Sequence, residues 1–230
     1  MRTIPFRVLS IGALAFLTLA GGAVAQTRSS AVLNALEVRT LVASAEPGDN
    51  ARLSAHFAAL AERYTAEAKR HTAMAQAFVG SPSRRVAVNS AADHCKRLAQ
   101  LNTESAATVR ELATHHERLA AGAPSIAPRG SARFEGGAGA PAPSDQEFSA
   151  LAAKASTPAD HRGLEEYFLT AAKQYTADAN EHAGMARAYR GTRIAQAAVH
   201  CDRLVTLSRD AAKEANAAAA EHKELAGRAR

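Results

Sequence analysis

The residues able to do chemistry stand out by their pairing. The chain has two cysteines, and each directly follows a histidine in nearly the same context, AADHCKRLAQL from Ala91 and AAVHCDRLVTL from Ala197. Imidazole beside thiol is a donor set for Zn(II) or copper. The question is which other donors the fold brings to it.

An internal duplication answers part of that. YTAEAKRHTAMAQAFVG from Tyr64 aligns with YTADANEHAGMARAYRG from Tyr175 with nine identities in 17 positions. After a turn five residues shorter in the second copy, residues 86–120 align with 192–226 with 12 identities in 35. His71/His182, His94/His200, His116/His222, Cys95/Cys201, Met74/Met185 and Tyr64/Tyr175 are common to both copies. His56, His115 and His161 face Tyr167, Glu221 and Asn50 instead, so histidine is not kept automatically.

The elements that position these residues are helices. Leu53, Phe57, Leu60, Tyr64, His71, Met74 and Phe78 recur at helical spacing with one skipped turn at Glu67. Gly80-Ser81-Pro82-Ser83 interrupts the pattern. A second stripe runs through Val88, Cys95, Leu98, Val109, Leu112, His116 and Leu119. Copy two repeats this with Leu164, Phe168, Tyr175, His182, Met185 and Tyr189, then Ile194, Cys201, Leu204, His222 and Leu225. Ser144 to Glu147 has capping-box spacing, and Pro158 after Thr157 suits a first helical turn. The expected fold is all-α: a tandem repeat of long antiparallel helical hairpins, each with a short leading helix, forming a four-helix bundle.

The domain reading follows. Residues 1–25 combine Arg2 and Arg7, an apolar run and an Ala23-Val24-Ala25 cleavage site, the pattern of a secretory signal peptide. Residues 26–121 form hairpin repeat one, 122–146 a Pro/Gly-rich flexible linker and 147–230 hairpin repeat two. The mature chain is expected in the periplasm or outside the cell, with no transmembrane segment. Losing Arg2 and Arg7 lowers the formal charge from +6 to +4, and Trp is absent, which gives no footprint for nucleic acid. No nucleophile elbow, phosphate loop, H-E-x-x-H or paired-carboxylate motif is present, so no enzyme is expected.

A hairpin that sets His71 level with His94 has its midpoint between Pro82 and Ser83. One that sets His182 level with His200 has it at Gly191. Both midpoints fall on the turns assigned from Gly and Pro, so each hairpin is expected to join a histidine to the His-Cys pair opposite. The expected metal ligands are His71, His94, Cys95, His182, His200 and Cys201. Met74, Met185, His116 and His222 are secondary, and a thioether with a thiolate favours Cu(I) over Zn(II). His116 lies roughly 31 Å along its helix from Cys95, so it reaches a cluster only in the other hairpin, and only if the hairpins pack antiparallel. Haem is not the expected cofactor: His and Met can be axial ligands in helical bundles, but no C-x-x-C-H attachment motif occurs and the apolar surroundings are small.

The competing reading is a structural or protein-interaction bundle closed by a Cys95–Cys201 disulfide, with histidines that only pack and hydrogen-bond. Homo-oligomerisation stays open. Tyr64 and Tyr175 read as core aromatics, and Glu67 and Asp178 as exposed helix charge or as groups orienting an imidazole.

Overall fold

A computed structural model describes residues 32–44, 46–80, 88–122 and 145–228. The predicted leader, 1–25, and most of the predicted linker, 123–144, lie outside the described residues. Among the described residues six helices run in order: α1 (Ala35–Ser44), α2 (Pro47–Gly80), α3 (Val88–Ala121), α4 (Asp145–Lys154), α5 (Pro158–Tyr189) and α6 (Ala197–Arg228). The duplicated hairpins are α2–α3 and α5–α6, with α1 and α4 as the leading helices, as the sequence implies. None of the described helices is long and apolar enough to cross a membrane.

Local chemistry sets the ends of α5. Thr157 caps it in a full capping box with Asp160, and Pro158 enters where its missing N–H costs nothing. Gly191, just past its end, takes a left-handed φ of 87° that a side chain would strain. Ile194, expected at the start of the next stripe, lies in the turn instead, because α6 begins only at Ala197.

The two hairpins pack antiparallel, and residue size decides how closely. Along α6, Ala211, Ala212, Ala215, Ala218 and Ala219 are buried, and α6 packs directly on α3. Small side chains permit that approach. Between α2 and α5 no Cα comes within 8 Å of another. This wider seam holds Tyr64, Phe57, His71, Phe168, Tyr175 and His182, all buried. The leading helices lie over it in exchange: α1 of the first copy packs mainly on α5, and α4 of the second mainly on α2.

The core consequently divides in two. One half joins Met74, Phe78, Cys95 and Leu98, near the first turn, to Leu164, Phe168 and Tyr175. The other joins Leu53, Phe57, Leu60 and Tyr64 to Met185, Tyr189, Cys201 and Leu204, near the second turn. Antiparallel packing therefore sends the two cysteines to opposite halves, and both are free and buried. The Cys95–Cys201 disulfide of the competing reading is not formed.

Candidate functional site

The α2–α5 seam repeats one polar unit about a pseudo-twofold axis. Tyr64 Oη lies 2.8 Å from His182 Nε2, and Tyr175 Oη lies 3.2 Å from His71 Nε2. Each histidine thus bonds the tyrosine of the other copy. The wide seam dictates the residue types, since only long side chains ending in a polar atom can meet across it.

Around Tyr175 the proton positions follow from the partners. Asn102 Nδ2 donates to Leu98 O (2.9 Å) and to Tyr175 Oη (2.7 Å). The phenolic proton is then left for His71 Nε2, which makes His71 the Nδ1–H tautomer. His71 Nδ1 has no hydrogen-bond partner, and neither has His182 Nδ1. Burial holds both imidazoles neutral, lowering their pKa values to about 3.

The units differ in charge. Asp178 is 3% exposed, accepts from Arg63 Nη2 at 2.8 Å and from Gln174 Nε2 at 2.9 Å, and lies 3.4 Å from Tyr64 Oη. In copy one the equivalent Glu67 bonds its own neighbour Arg70 at 2.8 Å. Asp178 is therefore neither exposed charge nor a metal-site partner. It anchors α5 to α2 through a cation that the first copy alone supplies.

Histidines at the ends of the seam are also committed. Asn50 Nδ2 donates to Glu46 O, which leaves Asn50 Oδ1 to accept from His116 Nδ1 at 2.8 Å. Tyr189 Oη donates to His116 Nε2 at 2.7 Å, and Phe57 stacks on the ring. His56 Nδ1 accepts from Leu33 N at 3.0 Å, fastening the start of α1. Burial lowers both pKa values to about 4. His222, stacked between Phe78 and Phe168, is lowered to about 3 by the same cause.

The predicted metal residues are distributed over these places and do not converge. His71 stands level with Asn102, since Tyr175 bonds both, and His94 lies eight residues back along α3, roughly 12 Å away along the axis. α2 ends at Gly80 and α3 starts at Val88, so the connection is centred past the expected Pro82/Ser83 midpoint, which accounts for about three of those eight residues. Ser81, Pro82 and Ser83 themselves lie outside the described residues. In the second hairpin Arg190 bonds Asp202 across the turn, so the level centre again falls past Gly191.

His94 faces α6 instead, with Nδ1 2.5 Å from Glu214 and Nε2 3.4 Å from Glu221. His200 is a third exposed and lies 3.2 Å from Glu111 of α3. Cys95 and Cys201 are in the core, where burial pushes both thiols up to about 12, away from the thiolate that binds metal. Met74 and Met185 fill the two core halves. Among the described residues no group of three or more His, Cys, Asp or Glu side chains is arranged to hold a metal ion.

Sequence reasoning missed the partners Asn102 and Arg63, and named Asp178 and His161 without what they meet. Comparison with family models, curated proteins and solved structures finds no match.

Proposed function

We propose that this chain is a non-catalytic scaffold of the periplasm or cell exterior, delivered there by its leader, in which buried histidines fix how two helical hairpins dock. What carries the reading is the reciprocal pair His71–Tyr175 and His182–Tyr64, which ties each copy to the other through one polar atom per side chain. An apolar seam of tyrosine-sized residues would tolerate sliding of one hairpin along the other. Directional bonds made twice select one register, a role best attested for lone polar groups in coiled-coil seams.

Support comes also from what the groups are free to do. The thiols are held protonated, the tyrosines are buried, and burial raises the Tyr64 and Tyr175 pKa values, so none is poised as a nucleophile or base at neutral pH. The test is urea unfolding of Tyr64→Phe and Tyr175→Phe. Each removes one hydroxyl and strands an imidazole nitrogen, with Tyr175→Phe stranding Asn102 as well. Losses of about 1–3 kcal/mol each are expected, larger for Tyr175→Phe. Unchanged midpoints in both variants would remove the scaffold reading's main support.

A further inference from the structure

One contact in the bundle differs in chemistry from its counterpart in the other copy. His161 Nδ1 on α5 lies 3.2 Å from His222 Nδ1 on α6, with ring centroids 5.4 Å apart. At the equivalent place in copy one, Asn50 Oδ1 meets His116 Nδ1. Copy one is closed: both nitrogens of His116 have oxygen partners. Copy two ends in two facing imidazole nitrogens, and His222 Nε2, on a side chain 1% exposed, has no partner.

We propose that His161 and His222 form a two-histidine site for a divalent transition-metal ion such as Zn(II) or Cu(II), held through both Nδ1 atoms. Two imidazoles on one tetrahedral ion, each about 2.0–2.1 Å from it, have nitrogens about 3.3 Å apart, close to the observed separation. Without metal the same distance suits one N–H···N bond, so the pair is held together by a proton that the ion replaces on binding.

The surroundings suit a cation. Burial lowers the pKa of both imidazoles, which keeps their lone pairs available at neutral pH. The charges of Asp160 and Glu221 reach His161 and oppose that lowering, as they would stabilise a bound ion. Phe78 and Phe168 stack on His222 and fix its ring. His161 is only half-buried, which leaves the remaining coordination positions to water. His94 is a poor additional ligand, since Glu214 and Glu221 engage its two nitrogens.

The duplication supplies a substitution that the fold already accommodates. His161→Asn rebuilds in copy two the Asn–His pair that copy one contains, and Asn50→His should build a second metal pair with His116. The experiment is Zn(II) titration of the mature, chelator-treated chain by calorimetry, with Cu(II) electron paramagnetic resonance as a readout of nitrogen ligands.

The parent should bind one Zn(II) at micromolar concentration, and His161→Asn should weaken this at least tenfold while helicity and urea midpoint stay the same. Asn50→His should take up a second equivalent. Should the parent take up no Zn(II) at 100-fold the chain's micromolar concentration, or His161→Asn bind as tightly as the parent, the site is refuted. His161→Ala, which removes the donor without adding one, serves equally if the asparagine variant misfolds.

Discussion

Acid should unfold this protein well above the pH at which carboxylates alone would do so. His56, His71, His116, His182 and His222 are all buried, and burial lowers their pKa values to between about 3 and about 4. In the unfolded chain they titrate near 6.5. Below that pH the unfolded state binds protons that the folded state refuses, so their contribution is complete above pH 6.5 and is lost as pH falls towards 4.

By pH 5 each such histidine costs about 2 kcal/mol, at 1.36 kcal/mol per pH unit. Five together approach the whole stability of an ordinary domain, about 5–15 kcal/mol. Nearby charge pushes the same way for several of them: Arg63 disfavours protonation of His56 and His182, Arg70 that of His71, and His161 and His94 that of His222. Glu37 opposes it at His56 only. Far-UV circular dichroism against pH should show a cooperative loss of helix centred between about pH 4 and 6. A helical signal that persists unchanged to pH 3.5 would contradict this.

Arg63→Met should be strongly destabilising. Asp178 is nearly inaccessible, and Arg63 is its one cationic partner at hydrogen-bonding distance. Removing one member of a buried pair leaves an uncompensated charge, which costs about 3–5 kcal/mol. The lower end applies here, since Gln174 still donates to Asp178 and Arg63 is itself 36% exposed. Urea unfolding should therefore show a loss of about 3 kcal/mol. The double variant Arg63→Met, Asp178→Leu should recover much of it, because no buried charge then remains. A single-variant loss below about 1 kcal/mol would mean that water reaches Asp178.

How much of this was legible in the sequence depends on whether a feature is local. The helices, their hairpin pairing and the leading helices follow from apolar spacing, from Gly and Pro at the turns, and from the cap at Thr157. Register did not follow. Each residue added to a connection shifts one helix by about 1.5 Å against its partner, and both connections extend past the Gly/Pro break used to centre them. That displacement, together with the turning of His94 towards Glu214 and Glu221 of α6, separates His94 from His71.

Tyr64 with His182 and Tyr175 with His71 were accessible to the same level-matching logic applied between α2 and α5, because the position numbers of both pairs have the same sum. The antiparallel arrangement was considered for His116 and His222, and not for the tyrosines. As that arrangement requires, His222 does reach the turn end of the first hairpin, against Phe78, and His116 the turn end of the second, against Tyr189. Asp178 reads as exposed charge or as a group orienting an imidazole, because helix periodicity carries no sign of a cation arriving from another hairpin. His161 carries no signal from the duplication, because copy one has Asn50 there, although that difference is what leaves two imidazoles facing each other.

The central claim, that buried histidines are neutral register-setting groups bonded across the hairpins, is tested most directly by NMR titration of the imidazole nitrogens and ring protons in metal-free protein. His71, His116 and His182 should each hold one tautomer with no protonation between pH 8 and 6, followed by loss of their signals together with the fold. Independent midpoints near 6.5 for His71 and His182, in protein that stays folded, would show that those rings meet water instead of tyrosine and would contradict the account.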